Sequence, residues 1–408
     1  MLLRSRVAPA YRRRLPERLG FFDVSSLPKK SPTIWLHAVS VGETLAAASL
    51  IENLLQSYPD YTIVVTTTTP TGSERVAALF GERVFHVYAP WDTPGAVKRF
   101  LSHIRPSLLI IMETELWPNM LHHSDQIGCR IILANARLSE RSARGYARLA
   151  GLSKNMLRAI DVVACQNVAD GDRFLKLGLH KPQLQVTGSI KFDLELGADL
   201  RRQAAELRVA WGVDQRSVIV AASTHPGEDE QILHAYTEVK ESIDNCLLVI
   251  VPRHPERFDA VFNLCLAGGW QVQRRSEGLE LSPQDDILLG DSMGELLLLL
   301  SGASVAVIGG SLVNHGGHNV LEAAAWGVPV VTGPHMFNFA EISDLLTAAG
   351  AMERLERSDE LRVCLKRLLA DSKVRRDMGA AGQQVVADNR GAKKQLLTLI
   401  DDLLRSPQ

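Results

Sequence analysis

The sequence predicts an α/β protein with two doubly wound domains, each a parallel sheet covered by helices on both faces. Over most of the 408 residues, short β-branched apolar runs alternate with helical stretches of about 10–15 residues, which is typical of parallel sheets. The alternation stops after Asp193 and restarts at Val218. Because one domain usually has roughly 100–200 residues, the length also favours two or three domains.

The first half supplies seven predicted strands with helices between them. Residues 43–57 and 94–103 have helical periodicity. The strands are expected at 34–39, 61–67, 84–88, 108–112, 130–134, 162–165 and 184–187, with the run at 61–67 directly following the first helix. Each is a short apolar run bounded by polar or turn-forming residues, as a strand buried on both faces should be.

The second half repeats the pattern after a polar, Ala-rich helical stretch at 194–214. Its strands are expected at 218–222, 247–251, 270–274, 287–289, 305–308 and 328–332, and the tail from 363 to 404 is predicted to be mostly helical. We therefore predict a basic segment at 1–30, a first domain at 31–195, a connector at 196–216, a second domain at 217–385, and a final helix at 386–408 that packs back on the first domain.

The composition excludes several classes of protein. Hydrophobic residues at 46% and charged residues at 22% are ordinary globular values, which exclude disordered, collagen-like and coiled-coil chains. The net charge of −1 argues against a broad basic surface for nucleic acid. Five scattered cysteines without a C-x-x-C pair indicate buried thiols in a reducing cytosol. No apolar run reaches the roughly 18–20 residues of a membrane span, so we expect a soluble chain.

The charge is unevenly distributed along the chain. Residues 1–30 hold eight basic and two acidic side chains, a local charge of +6, so the other 378 residues sum to −7. A solvated, frayed terminus would explain such a segment. Tyr11, Leu15, Leu19, Phe21 and Phe22 lie beside these basic residues and give the segment apolar side chains as well.

Polar residues follow several strands of the first half, where ligands of doubly wound sheets bind. Glu43, after the tight turn that Gly42 permits, is either a dipole-stabilising residue of the first helical turn or a general base. Glu113 and Glu115 come directly after a buried strand. Lys191 ends the first half as surface decoration or as positive charge for an anion.

The second half carries candidate residues for a phosphate or a nucleotide. Pro252 and Arg253 follow a strand, and arginine suits a phosphate or carboxylate. Helix starts directly after Ser292 and Asn319 would offer backbone N–H groups to an anion. Two glycine pairs before Asn319 permit close approach of a ligand, and Glu322 could reach ribose hydroxyls.

Common nucleotide and metal motifs are missing from the sequence. Neither G-x-x-x-x-G-K-[ST] nor a G-x-G-x-x-G after a predicted strand occurs, which weakens nucleoside-triphosphate hydrolysis and ordinary NAD binding. His315 and His318 could lie close together, but no third ligand has a standard spacing. We therefore expect no metal.

These blocks, in their order and spacing, resemble GT-B glycosyltransferases and, more narrowly, the 3-deoxy-D-manno-octulosonic acid (Kdo) transferases of lipopolysaccharide assembly. The resemblance covers nearly the whole chain and is carried by Ser40-Val41-Gly42-Glu43, Asn135-Ala136-Arg137-Leu138-Ser139 and Gly316-Gly317-His318-Asn319. It implies a GT-B fold of two Rossmann-like domains facing each other across a cleft.

The resemblance also implies an activity: inverting transfer of Kdo from CMP-Kdo to a tetraacylated lipid A precursor, at the cytoplasmic face of the inner membrane and without a cofactor. It makes Glu43 the catalytic base, with Glu113 and Lys191 supporting the transition state. The nucleotide contacts map onto Pro252, Arg253, Met293, Gly294, Glu295, Asn319, Val320, Leu321 and Glu322. The partners implied are CMP-Kdo, the phosphorylated lipid and an anionic membrane surface contacted by residues 1–30, but no nucleic acid.

The chain departs from the family in two places. Family members usually open with a hydrophobic anchor, where this sequence has only Met1-Leu2-Leu3, and they often have proline at the position of Val320. Two other functions stay open: a GT-B-like UDP-sugar epimerase or other nucleotide-sugar transferase, and a non-catalytic nucleotide-sugar sensor. The acidic pair Glu113 and Glu115 argues against the sensor, since buried acids without a chemical role are costly.

Overall fold

The structure is a computed structural model that describes residues 13–25, 27, 31–278 and 280–405. The chain forms two compact units, Met1–Asp193 with Asn389–Gln408, and Leu194–Asp388. Each unit is built on a seven-stranded parallel sheet, so the predicted α/β class with two doubly wound sheets is confirmed.

The first sheet has the strand order β3-β2-β1-β4-β5-β6-β7. Its strands are β1 (Thr33–His37), β2 (Thr62–Thr67), β3 (Phe85–Tyr88), β4 (Pro106–Met112), β5 (Arg130–Ala136), β6 (Val162–Cys165) and β7 (Leu184–Val186). The chain runs outward from β1 in one direction and restarts at β4 in the other. The crevice between the carboxyl ends of β1 and β4 is therefore the topological switch point, where such sheets bind ligands.

Helices cover both faces of the first sheet and are marked in the sequence by their first residues. Ser40, Thr69, Ser139 and Asn167 are N-caps whose side chains accept a backbone N–H of the first turn. The helices are Leu15–Arg18, Val41–Ser57, Pro70–Phe80, Pro94–Ile104, Pro118–Gln126, Glu140–Ala147, Ala150–Arg158, Val168–Lys176 and Ala392–Arg405, with 3₁₀ turns at Gly81–Arg83, Lys181–Gln183 and Ile190–Phe192.

The second sheet has the strand order β10-β11-β9-β8-β12-β13-β14, with its switch point between β8 and β12. Its strands are β8 (Ser217–Thr224), β9 (Cys246–Pro252), β10 (Val272–Arg274), β11 (Ile287–Leu289), β12 (Val305–Ile308), β13 (Val330–Thr332) and β14 (Met352–Arg354). The helices are Ala198–Ala210, Asp229–Lys240, Phe258–Ala267, Leu296–Leu300, Leu321–Ala325, Ala340–Ala348, Leu361–Ala370 and Ser372–Asp388, with 3₁₀ turns at Pro255–Arg257, Arg275–Glu277 and Ser358–Glu360.

The predicted strands are confirmed, with differences at a few ends. The strands expected at 270–274 and 328–332 shorten to Val272–Arg274 and Val330–Thr332. Strand β14, Met352–Arg354, was not predicted from the sequence, because this short edge strand is only partly buried and carries no apolar run. Edge strands make fewer packing demands on their residues than central ones.

The helix in the predicted connector and the last helix each belong to one unit. The helix Ala198–Ala210, in the stretch predicted as a connector, lies in the second unit, where it buries Leu207 and Arg208 donates to the Ser301 carbonyl at 2.8 Å. The last helix, Ala392–Arg405, lies in the first unit and buries Leu396 and Ile400.

The described residues of the basic segment belong to the first unit and pack against its other residues. Arg18 is 1% exposed, donates to the Thr68 carbonyl at 2.9 Å and lies 4.1 Å from the centre of the Tyr88 ring. Phe22 packs on Phe100, with ring centres 5.5 Å apart. Both residues belong to the segment 1–30, which was predicted to contact an anionic membrane surface. That interpretation is wrong for them, because their side chains pack inward.

The other residues predicted for the membrane contact are exposed or lie outside the residues that the structure describes. Leu15, Leu19 and Phe21 are 37%, 38% and 54% exposed. Tyr11 and the basic residues Arg4, Arg6, Arg12, Lys29 and Lys30 lie outside the described residues. None of the helices that the structure describes has the length and apolar character needed to cross a bilayer.

Candidate active site

The first candidate site lies at the switch point of the first sheet. Glu43 is in the first turn of the helix after β1, and Glu113 directly follows β4, the neighbouring strand. Glu113 has a φ of 56°, in the left-handed region that a non-glycine residue rarely adopts. Strained backbone of this kind concentrates at functional sites.

Glu43 forms a capping box with Ser40. The Ser40 hydroxyl donates to Glu43 Oε1 at 2.9 Å and accepts the Glu43 backbone N–H at 3.3 Å, while Val39 N–H donates to Oε2 at 2.8 Å. The carboxyl group is therefore held in one orientation. A structural role in the helix start and a chemical role at the site are compatible, since both need this fixed position.

The pKa of Glu43 is suited to proton transfer near neutral pH. The pKa of Glu43, which is 8% exposed, is raised from 4.5 to about 7, mainly by burial and to a smaller extent by the negative charges of Glu115 and Glu113. The hydrogen bonds from Val39 and Ser40 lower the pKa but only partly oppose the burial. A carboxylate whose pKa is close to the working pH is an effective general base.

The other polar groups of this site are Lys191, Glu113 and Glu115, which have different partners. Lys191 Nζ lies 3.5 Å from Glu113 Oε1, and both side chains are about one-quarter exposed. Glu115 accepts a hydrogen bond from Trp117 Nε1 at 2.8 Å, and burial raises its pKa. The structure thus brings the three predicted catalytic residues, Glu43, Glu113 and Lys191, to one edge of one sheet, as one buried carboxyl group and one ion pair.

The second candidate site lies at the carboxyl edge of the second sheet. Arg253 follows β9 and forms no ion pair with any residue that the structure describes, whereas Arg257, one 3₁₀ turn later, pairs with the buried Asp229. The Arg253 charge lowers the pKa of Glu322, although burial raises that pKa by more. Arg253 is therefore a positive charge without a fixed carboxylate partner.

Asn319 and Glu322 form a second capping arrangement. Asn319 Oδ1 accepts the Leu321 N–H at 3.1 Å, and its Nδ2 donates to Glu322 Oε1 at 3.0 Å. Val320 and Leu321 are buried between them. The preceding Gly317 has a φ of 75°, and a Cβ there would lie 2.2 Å from Met336 Sδ, so this turn requires glycine.

The loop after β11 holds the remaining predicted nucleotide contacts. Met293 is 56% exposed, Gly294 has a φ of 87°, and Glu295 accepts hydrogen bonds from Arg275 at 3.1 Å and from Ser292. The pKa of Glu295 is lowered, mainly by Arg275.

The helix starts predicted after Ser292 and Asn319 lie further along the chain. The two helices begin at Leu296 and Leu321 and are five residues long. The first is displaced because the backbone of Gly294 is left-handed, and the second because Asn319 caps the turn instead of entering it.

Two polar residues after β8 were not predicted as site residues from the sequence. His225 and the fully buried Glu228 lie there, and His225 contacts His318 from the loop after β12. The sequence Ser223-Thr224-His225 at a strand end was the available signal. No group of three or more His, Cys, Asp or Glu residues in the described ranges is arranged to hold a metal ion.

Comparisons with known proteins agree on one family. Residues 13–194 match the model of 3-deoxy-D-manno-octulosonic-acid transferase (kdotransferase), and residues 218–385 match glycosyl transferases group 1. The chain is 44% identical to a 3-deoxy-D-manno-octulosonic acid transferase of Haemophilus influenzae over 97% of this chain and 93% of that protein. It is 35% identical to the protein of that name from Bordetella pertussis, over 95% and 91% of the two chains.

A solved structure supports the fold. The UDP-GlcNAc 2-epimerase from Neisseria meningitidis, bound to UDP-GlcNAc, is similar with a TM-score of 0.59 and 13% identity, over 91% of this chain and 100% of that chain. At this identity the similarity bears on the fold alone.

Proposed function

The chain belongs to the Kdo transferase family of GT-B glycosyltransferases, and from this premise we propose that it moves Kdo from CMP-Kdo to a tetraacylated lipid A precursor with inversion at the anomeric carbon. The observation that carries the proposal is the oriented Glu43 carboxyl with a pKa near 7, at the switch point of the first sheet. An inverting transfer needs one such base to take the proton of the acceptor hydroxyl, a step worth about 10²–10⁴-fold in rate.

Glu113 and Lys191 are assigned to the transition state in this proposal. Lys191 supplies positive charge for the donor's phosphate or carboxylate, and the ion pair with Glu113 holds its ammonium group at the carboxyl edge of the sheet. Charge that is positioned before the reaction stabilises developing charge without further reorganisation.

The nucleotide is assigned to the second unit. Arg253 is proposed to bind the phosphate of CMP, because it is the cation at this sheet edge without a carboxylate partner among the described residues. Glu322 accepts hydrogen bonds from the hydroxyl groups of the ribose, and Asn319 orients Glu322. The neighbours Pro252, Met293, Gly294, Glu295, Val320 and Leu321 complete the proposed nucleotide contacts.

We propose that the reaction needs no metal ion. Arg253 and Lys191 carry the positive charge that the departing cytidine monophosphate requires. Transfer that persists at an undiminished rate in excess EDTA supports this assignment, and loss of transfer that Mg²⁺ restores contradicts it.

We also propose attachment to the cytoplasmic face of the inner membrane through the first 30 residues. The exposed Leu15, Leu19 and Phe21 supply apolar surface, with Arg13 exposed beside them. Basic residues near an anionic bilayer each contribute about 1 kcal/mol to binding.

A pair of variants tests this attachment. Changing Leu19 and Phe21 to serine should reduce cosedimentation with phosphatidylglycerol-containing vesicles, while the control Val168→Ser, 64% exposed on the same unit, should bind as the wild type does. Equal binding by all three proteins contradicts the membrane assignment.

Acceptor-dependent release of CMP tests the proposed reaction. Wild-type protein with CMP-Kdo should release CMP much faster when the lipid A precursor is added, and Glu43→Ala should lose this acceleration while CMP still binds. CMP release that is independent of the acceptor contradicts transfer. No release with retained CMP binding favours the nucleotide-sugar sensor.

A further inference from the structure

Four histidines meet at the switch point of the second sheet. His225 Nε2 and His318 Nε2 lie 2.8 Å apart, and their rings are nearly parallel, with centres 5.0 Å apart. The exposed His315 stacks on His225 with ring centres 4.2 Å apart, and His254 lies edge-on at 5.6 Å. They come from the loops after β8, β9 and β12, three adjacent strands of the second sheet.

The carboxylate of Glu228 holds the loops that carry His225 and His318. Its side chain is 0% exposed, and its two oxygens accept the backbone N–H groups of His225 at 2.9 Å, Gly310 at 2.7 Å and Leu312 at 2.9 Å. One carboxylate thereby ties the loop after β8 to the loop after β12. Both of its oxygens are occupied by the backbone, so it positions the histidines and offers nothing to a ligand.

The charges around the cluster favour an anion. The positive charges of Arg253 and Arg257 lower the pKa of His225, and that of Arg253 also lowers the pKa of His318. The nearby carboxylates are engaged elsewhere: Asp229 pairs with Arg257, and Glu322 accepts from Asn319. Arg253 is therefore the cation left for a ligand.

We propose that His225, His315 and His318 form, with Arg253, the subsite that receives an anionic group of the sugar-nucleotide donor. The inference rests on the proposed function and adds to it three histidines that no other feature of the site uses. The ligand group is a phosphate or a carboxylate oxygen anion, and CMP-Kdo carries both. Imidazole and guanidinium N–H groups are suitable donors for either.

Such a subsite takes up a proton when it is filled. The pKa of His225 is lowered to about 4 and that of His318 to about 3, mainly by burial and to a smaller extent by the neighbouring histidines and Arg253. The pair is therefore neutral at pH 7 and shares one hydrogen between its two Nε2 atoms. An anion in contact with the pair favours the imidazolium form, so its binding strengthens as the pH falls.

Binding measurements on the full chain test the subsite. His318→Gln and the milder His315→Gln are compared with His234→Gln, a control on the helix Asp229–Lys240 whose side chain is 78% exposed. Cytidine and CMP are titrated by calorimetry, and CMP-Kdo is measured as a competitor of CMP, so no turnover is required. Thermal unfolding checks that each variant is folded.

Two results support the proposal and identify the ligand group. Loss of roughly 10–100-fold in CMP affinity with unchanged cytidine affinity assigns the phosphate, since charge-assisted hydrogen bonds have this strength. Unchanged CMP affinity with a comparable loss for CMP-Kdo assigns the carboxylate. Equal affinities in wild type and both cluster variants overturn the proposal, as does an equal loss for cytidine or an equal loss in His234→Gln.

The pH dependence tests the proton uptake separately. The CMP phosphate itself titrates in this pH range and affects the wild type and the variant alike. We therefore compare the difference in log affinity between the wild type and His318→Gln, measured for the ligand group that the binding experiments assign. This difference should grow as the pH falls from 8 to 5.5, and parallel curves overturn the proton uptake. Wild-type protein that binds CMP but transfers no Kdo contradicts the proposed function and leaves the binding results intact.

Discussion

Replacing Glu43 with glutamine removes the proposed base and keeps most of the shape of the site. The amide oxygen of glutamine can replace one carboxylate oxygen, so one of the two bonds from Ser40 and Val39 survives. Below pH 4.5, where Glu43 is protonated, the lost bond should lower the free energy of unfolding by about 1 kcal/mol. The rate of transfer should fall by about 10²–10⁴-fold, because glutamine accepts no proton.

The pH dependence of transfer gives an independent measure of the same group. With a pKa of about 7 in the free enzyme, kcat/KM of the wild type should rise about tenfold per pH unit up to roughly pH 7 and then level off. Glu43→Gln should lack this limb. The assay is acceptor-dependent release of CMP between pH 5.5 and 8.5, at acceptor concentrations below KM.

The same pKa predicts a change in stability with pH. The pKa of Glu43 is raised from 4.5 to about 7, so the folded chain holds this proton more firmly than the unfolded chain does. The stability that the protonated group contributes is complete below pH 4.5 and is lost as the pH rises through 7, by roughly 3 kcal/mol at most. Denaturant unfolding of the wild type relative to Glu43→Gln should show this loss.

Glu52→Gln is the matched control for both measurements. Glu52 lies in the same helix and forms a surface ion pair with Arg83 at 2.7 Å, which is worth 1 kcal/mol or less. It should leave kcat/KM and its pH dependence unchanged. Transfer by Glu43→Gln within tenfold of the wild-type rate, or a wild-type profile that is flat from pH 6 to 8, would refute the assignment of Glu43 as the base.

Three further predictions concern single residues. Arg253→Ala should weaken CMP binding by about 10–100-fold, measured by calorimetry, because a charge-assisted hydrogen bond is lost; unchanged affinity removes Arg253 from the nucleotide site. Gly309→Ala should reduce both stability and CMP affinity, since its Cβ would lie 2.3 Å from the Ser223 carbonyl oxygen; wild-type melting and binding would contradict this packing. Asp193→Ala should lower the unfolding free energy by about 1 kcal/mol in denaturant titrations, because Asp193 accepts the backbone N–H groups of Gly391 at 2.6 Å and Lys393 at 2.5 Å at the start of the last helix; an unchanged midpoint would show that this cap contributes nothing.

Much of the fold could be predicted because its signals are local. The central strands are continuous apolar runs, as at Leu108–Met112, where every side chain is buried. Helix starts are marked by Ser40 and by prolines such as Pro118. The short strand Met352–Arg354 escaped prediction, because an edge position places little demand on its side chains.

The candidate site could be predicted only in part. Glu43, Glu113 and Arg253 were found because each follows a strand, and the order of parallel strands brings such residues to one edge. The ion pair of Lys191 with Glu113 and the contact of His225 with His318 join residues 78 and 93 positions apart. Such pairs depend on strand order and on a buried carboxylate, Glu228, so no local pattern predicts them.

A competition between two donors tests the central claim most directly. The protein is incubated with equal amounts of CMP-Kdo and UDP-N-acetylglucosamine together with the tetraacylated lipid A precursor, and mass spectrometry follows both the lipid and the nucleotides. The proposed function predicts a lipid that gains the mass of Kdo, release of CMP and an unaltered UDP-sugar. An unmodified lipid together with an epimerised UDP-sugar would contradict it.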